Sequence, residues 1–261
     1  MDYMSFVEQL NIKQGDKIML SSELIKLVLL YKKSGIKFDG SILLDTFQEA
    51  VGVDGTILIP TFSFDFNNKG IYDVVNTKGT TGVLGNIALQ RGDFVRTQHP
   101  MHSFAVWGKD KDTLVGMTNR NSFGTDSPFG YCISSHVRQI ILGTDYRHGM
   151  TFIHYAEVVC NVPYRFSKSF TGKYIDAKGQ VEERIYDYAA RKLEIEPKEV
   201  FNKMGSILEK KGVSKVILID GIKCYDIDLA SSFPIICEDI INNQCRNIYD
   251  FNIERERIFH K

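Results

Sequence analysis

A histidine and a glutamate three residues apart, His154 and Glu157, fall on one face of the helical pattern over residues 152–159, and Thr151 precedes the histidine by one turn. Imidazole titrates near neutrality, so a positioned histidine is the side chain most often used to take a proton from an attacking nucleophile. The same spacing also describes a solvated helix face. From spacing alone the two readings stand level.

Four polar clusters fall in loops or at the ends of elements: Ser21-Ser22, Thr61-Phe62-Ser63, Arg96-Thr97-Gln98-His99-Pro100, and residues 123–130 (FGTDSPFG). Ligands of layered α/β folds gather at the carboxyl ends of strands, where such clusters sit. Ser21-Ser22 reads first as a helix cap, and the free N–H groups of that helix start also suit a phosphate or pyrophosphate. The glycine-rich turn Gly79-Thr80-Thr81-Gly82 with Gly85 lacks the G-x-x-x-x-G-K-[ST] and G-x-G-x-x-G spacings, which argues against a nucleotide triphosphatase or a dinucleotide site. Of six histidines (His99, His102, His136, His148, His154 and His260), His99 and His102 have the spacing of metal ligands but no third ligand, so no metal site is expected.

These groups need a scaffold, and hydrophobic patterning outlines one. Residues 17–21 (KIMLS) read as a buried strand, 24–31 as a helix, 41–51 as a second helix ended near Gly52, and 56–59 (TILI) as a strand stopped by Pro60. Further strands are expected at 94–97, 103–107 and 139–142. Residues 173–176 and 181–186 form a hairpin through Ala177-Lys178-Gly179, expected to add antiparallel to the main sheet. A helix from Glu196 through Lys211, ended by Gly212, precedes the strand 215–219 (KVILI). Residues 229–242 are helical again, with Pro234 tolerable only in the first turn. Alternating strands and helices predict an α/β layered fold.

The length of 261 residues suits one large α/β domain, and no repeat or linker divides it. Lys plus Arg equals Asp plus Glu at 32 each, which gives no electrostatic case for a nucleic-acid or membrane partner. The five cysteines form no C-x-x-C pair, and residues 1–10 carry Asp2 and Glu8 in place of an export signal. A reducing, cytoplasmic location is expected. Cys160, the thiol nearest His154, follows Val158-Val159 and reads as an inert core group.

Together the clusters resemble the aminoglycoside 3-N-acetyltransferase family, also called the antibiotic N-acetyltransferase family. The matching segments are GDKIMLSSEL (15–24), VGVDGTILIPTFSF (51–64), TTGVLGNIALQRGDFVRTQHPMHSFAVWGK (80–109), FGTDSPFG (123–130) and IILGTDYRHGMTFIHYAEVVCNVPYR (140–165).

That resemblance implies a single three-layer α/β domain over 1–261, with a central mixed sheet flanked by helices and unrelated to the GNAT acetyltransferases. It implies acetyl-CoA as co-substrate, no metal, and His154 of the pattern His154-x-Ala156-Glu157 as general base. Glu157 or Asp126 would orient that base or bind the substrate ammonium. Ser21, Ser22 and the segment Arg96–Ser103, with His99, are expected to bind CoA, with Arg96 or Lys109 on its phosphates and an oxyanion donor near Thr61, Ser63 or Ser103. Residues from about 170 to 261 are expected to help form the acceptor pocket, and a homodimer is allowed. The acceptor it implies is an amino sugar. The neutral charge balance favours a nucleotide-linked amino sugar for polysaccharide biosynthesis, with an antibiotic aminoglycoside as the alternative. A binding protein without catalysis is a third reading, opposed by the intact His154 and Glu157 pattern.

Overall fold

The computed structural model of the chain describes residues 2–192 and 194–259, so His260 among the predicted features lies outside the described residues. Its central sheet has seven strands. Arg138–Leu142 (β6), Lys17–Ser22 (β1) and Thr56–Pro60 (β2) are parallel neighbours at the centre, with Leu20 opposite Ile140 and Met19 opposite Leu58. Antiparallel strands extend it on both sides. Phe104–Gly108 (β5) and Val95–Arg96 (β4) lie beyond β2, while Ile222–Asp228 (β11) and Ser214–Ile219 (β10) lie beyond β6. The sheet is therefore mixed, as expected.

Successive strand residues point to opposite faces, and near-continuous apolar runs make both faces apolar. Ile18, Leu20, Ile57, Ile59, Ile140 and Leu142 form one core with Tyr3–Glu8 (α1), Ile25–Lys33 (α2), Gly40–Val51 (α3) and Leu84–Leu89 (α5). Met19, Leu58, Val106, Ile141 and Ile227 face the other core. It is closed by Pro128–Ser134 (α7), Tyr146–Gly149 (α8), Ile153–Val159 (α9), Phe201–Lys210 (α10) and Leu229–Asn243 (α11). The result is three layers.

Several elements depart from the sequence reading. The hairpin is longer than expected, pairing Arg165–Ile175 (β7) with Val181–Arg191 (β8), and it forms a separate sheet with Ile71–Asp73 (β3) rather than extending the central one. Its inner tyrosines, Tyr174 and Tyr186, pack with Phe66, Tyr72, Val74 and Met101 in a core of their own, beside Asp65–Lys69 (α4). Residues 198–199 form a short strand (β9) with Tyr249–Asp250 (β12) in place of the predicted helix start, so α10 begins only at Phe201. Pro234 lies in the second turn of α11, where its missing N–H leaves one carbonyl without a helical partner. The Asp228 cap and the buried Ile236 and Ile240 carry the helix through it. Two short helices, Lys111–Val115 (α6) and Arg255–Phe259 (α12), complete the described elements. No described helix is long and apolar enough to cross a membrane.

Candidate active site

Buried Ile153 and Ala156 seat α9 on the core, and that rotation decides between the two readings of its polar pair. Glu157 is turned inward and is 0% exposed, whereas the His154 side chain keeps 21% of its surface. His154 Nδ1 lies 2.6 Å from Glu157 Oε2. The pair is not a solvated face.

Three further groups converge on the carboxylate. Tyr164 donates its hydroxyl to Oε1 at 2.6 Å, and Arg165 donates Nε–H to Oε2 at 2.8 Å. Arg165 also donates to the Ala189 carbonyl at 2.8 Å and to the Tyr249 hydroxyl at 3.1 Å, which ties the first strand of the hairpin and the C-terminal segment to the site. Burial pushes the Glu157 carboxyl up, but Arg165, His154 and Tyr164 outweigh it and hold the group down to about 2. An ionised carboxylate only accepts hydrogen bonds, so the 2.6 Å contact puts the imidazole proton on Nδ1, which Arg165 Nη2 also approaches to 3.1 Å, and leaves the lone pair on Nε2. Nε2 has no hydrogen-bond partner among the described residues. The rings of Phe123 and Phe201 flank the imidazole, each 5.8 Å away centroid to centroid.

Ser21 and Ser22 sit at the carboxyl end of β1 rather than at a helix cap. The first residue of α2 is Ile25, and its cap residue Leu24 supplies no side-chain hydrogen bond, so the first-turn N–H groups remain open to an anion. Both serines, with Ile25, Val28 and the Gly82-Val83 turn, line a cavity of about 820 Å³. A narrower cavity of about 170 Å³ shares Ser21, Ser22 and Gly82 and reaches Phe62 and Thr151. Thr151 is one turn before His154 and accepts its backbone N–H at 3.0 Å, so this cavity reaches the segment just ahead of α9.

The remaining predicted residues are placed elsewhere. Arg96, Thr61 and Ser103 come together, but as a buried brace. Arg96 donates to Ser103 Oγ at 2.9 Å and to the carbonyls of Thr61 and Thr77, and the Thr61 and Ser103 hydroxyls are 3.0 Å apart. Ser63 receives the Asp65 N–H at 3.2 Å. His99 is 1% exposed and accepts the N–H groups of Met101 and His102 on Nδ1, at 3.3 and 3.4 Å. None of these five lines the cavities at Ser21 and Ser22. Asp126 is exposed in the turn before α7 and forms neither a hydrogen bond nor an ion pair with His154 or Glu157. Lys109, paired with Asp54 at 2.9 Å, lies beside the amino end of β2, at the edge of the sheet opposite to Ser22. Among the described residues no group of three His, Cys, Asp or Glu side chains could hold a metal ion.

Sequence reasoning missed Tyr164, Arg165 and Tyr249. The first two stood in the segment quoted for the resemblance, close enough to Glu157 for a search of buried-carboxylate partners to find them. Tyr249 is 84 residues from Arg165 and carries no local signal.

A model of the family described as aminoglycoside 3-N-acetyltransferase matches residues 34–234. The chain is 24% identical over 268 residues to the SPbeta prophage-derived aminoglycoside N(3')-acetyltransferase-like protein YokD of Bacillus subtilis (strain 168), covering 93% of this chain and 92% of that one. Among solved structures, AAC-IIIb in a binary complex with CoASH superposes with a TM-score of 0.75 at 14% identity, covering 92% of this chain and 95% of that one. AAC-VIa bound to sisomicin superposes with a TM-score of 0.75 at 16% identity, covering 92% and 97%. At these identities the superpositions establish a shared fold.

Proposed function

The chain belongs to the aminoglycoside 3-N-acetyltransferase family and is an acetyltransferase with acetyl-CoA as co-substrate; from that premise we propose that it acetylates an amino group of an aminoglycoside by direct transfer, with His154 as general base. The observation that carries this reading is the 2.6 Å contact between His154 Nδ1 and the buried, ionised Glu157, which leaves Nε2 as a proton acceptor. An ammonium group cannot attack a thioester. The ammonium first releases one proton to solvent; His154 Nε2 takes a second from the amine as it attacks, the carbonyl carbon passes from sulfur to nitrogen, and that second proton returns from Nε2 to the departing thiolate. Glu157 stabilises the imidazolium between those steps, as a buried carboxylate partner does in a hydrolase triad.

The cavity at Ser21 and Ser22 suits the acyl donor. It combines an uncapped helix start for phosphate with apolar walls at Leu24, Ile25 and Val28. Gly82, at φ +76°, lets the turn approach closely, since a Cβ there would lie 3.2 Å from the Ser22 carbonyl. Residues from about 170 onward supply the acceptor side in this reading, because Phe201 and Tyr249 reach the surroundings of His154 and Arg165. Exposed Asp126 is available for a substrate ammonium rather than for the base. The family match and the sisomicin complex of AAC-VIa favour an aminoglycoside acceptor over a nucleotide-linked amino sugar. We place the enzyme in the cytoplasm on its five free thiols.

Thiol release from acetyl-CoA across a panel of aminoglycosides and nucleotide-linked amino sugars tests the reading. The expected result is release that depends on an aminoglycoside and is lost in His154→Ala. Release with nucleotide-linked sugars alone would move the acceptor to that class, and silence across the panel would remove catalysis.

A further inference from the structure

Gln139, on β6, is 1% exposed, and its amide Nε2 donates to the Gly149 carbonyl at 2.8 Å and to Ser21 Oγ at 2.9 Å. Its Oε1 has no hydrogen-bond partner among the described residues. A carbonyl only accepts, so Gly149 fixes which end of the amide faces Ser21; the flipped amide would set two carbonyl oxygens against each other. Ser21 Oγ therefore gives a lone pair to Gln139 and keeps its own proton free. No described residue accepts that proton, and Ser21 lines both the wide cavity and the narrow one that leads toward Thr151. A buried oxygen left unpaired lowers stability and is itself a pointer to function.

We propose that Ser21 donates its hydroxyl proton to a carbonyl oxygen of the acyl donor in this cavity, and that Gln139 is the positioning residue that locks the hydroxyl as a donor. The assignment rests on the acetyl-CoA reading above. It gives a neutral donor to a substrate oxygen, a role that the Thr61 and Ser103 hydroxyls do not fill from the buried brace around Arg96. The acyl donor carries carbonyls of two kinds. Negative charge develops on the thioester oxygen during attack, while the amide oxygens of the pantetheine arm keep a constant charge and contribute to binding throughout.

The test compares wild type, Ser21→Ala, Ser21→Thr, Gln139→Leu and the double variant Ser21→Ala/Gln139→Leu. It reads kcat and KM by thiol release and the Kd of CoA by calorimetry. CoA retains the amides and lacks the thioester, so it separates the two sources. Service to the thioester predicts a kcat loss of about 10²-fold in Ser21→Ala with the Kd of CoA unchanged. Service to an amide predicts a Kd for CoA raised about tenfold with kcat retained. In either case Ser21→Thr restores much of the loss. Gln139→Leu reproduces it in smaller degree, and the double variant is no worse than Ser21→Ala, because positioning matters only while the hydroxyl is present.

Wild-type kcat, KM and CoA affinity in Ser21→Ala overturn the proposal. A Gln139→Leu loss that adds in full to that of Ser21→Ala overturns the positioning role. If Gln139→Leu does not fold, the comparison of Ser21→Ala with Ser21→Thr decides alone. A wild-type enzyme that neither turns over nor binds CoA would overturn the acetyltransferase reading itself, and this assignment with it.

Discussion

Arg165 Nε lies 2.8 Å from Glu157 Oε2, the oxygen that also faces His154 Nδ1. Two donors thus share one oxygen of a wholly buried carboxylate whose pKa stands at about 2, against an ordinary value of 4.5. A carboxyl depressed in the folded state contributes stability that is fully present above its unfolded value and lost as pH falls through the folded one; for this shift the amount is about 3 kcal/mol. Arg165→Met should therefore cost about 3–5 kcal/mol at pH 7, by leaving a buried charge short of its partner. The difference from wild type should shrink as pH falls from 4.5 through 2, because Glu157 is neutral in both proteins only below its folded value. Urea unfolding at a series of pH values reads this directly, and a constant difference would show that Arg165 does not hold the carboxylate charged.

Glu157→Gln separates the charge of the carboxylate from its shape. The amide can keep its oxygen toward His154 and Arg165 and so preserve the proton on Nδ1, but it no longer neutralises the imidazolium formed when Nε2 takes the substrate proton. We expect kcat to fall by about 10²-fold or more. The affinity for CoA should be retained, because Glu157 lines neither cavity at Ser21. A parallel loss of CoA binding in calorimetry would mean that the substitution disturbs the fold instead.

His99 is a structural histidine in a second pH window. Burial lowers its pKa from 6.5 to about 4. Its folded value lies below its unfolded one, so its neutral form contributes stability that is fully present above pH 6.5 and lost as pH falls toward 4, by about 3 kcal/mol. His102, buried beside it and pushed well below its ordinary value, acts in the same direction. His99→Asn can still accept the N–H groups of Met101 and His102. It should be less stable than wild type at pH 7.5 through lost packing, yet show a shallower decline of the urea midpoint between pH 6.5 and 4. Equal slopes in the two proteins would remove His99 as the titrating group.

The strands were legible wherever a short apolar run stood between turn residues: KIMLS, TILI and KVILI all form strands of the central sheet within a residue or so of their expected bounds. Sheet membership was not, because pairing joins distant segments; the turn at Lys178-Gly179 announced a hairpin but not that β3 would be its third strand. Ser21-Ser22 looked like a helix cap, yet pairing of Ser22 with Leu142 keeps that segment extended and delays α2 to Ile25. At the site, the spacing of His154 and Glu157 fitted a base and a solvated face equally well. Only the seating of α9, and Arg165 arriving from the start of β7, made Glu157 a buried anion. Arg96 illustrates the opposite error, since a cation at a strand end suggested phosphate, whereas the fold directs it inward to backbone carbonyls.

Gly85 offers a test of how the cavity wall is set. It lies in α5, where a Cβ would sit 2.4 Å from the Pro60 carbonyl oxygen and 2.9 Å from Thr61 Cγ2. Pro60 is the last residue of β2, so its carbonyl cannot yield without moving a central strand; the helix must shift instead. That shift pulls on the Gly82-Val83 turn, which lines the cavity against Ser22. Alanine gains about 1 kcal/mol of helix propensity over glycine, but overpacking against a fixed backbone costs about 1–3 kcal/mol, so the contact outweighs the propensity. Gly85→Ala should lower Tm and weaken CoA binding severalfold. Gly92→Ala is the matched control, because its added Cβ meets nothing within 4 Å, and it should leave both quantities unchanged. If Gly85→Ala behaves like Gly92→Ala in thermal melts and CoA titrations, the approach of α5 to β2 does not set the width of the cavity.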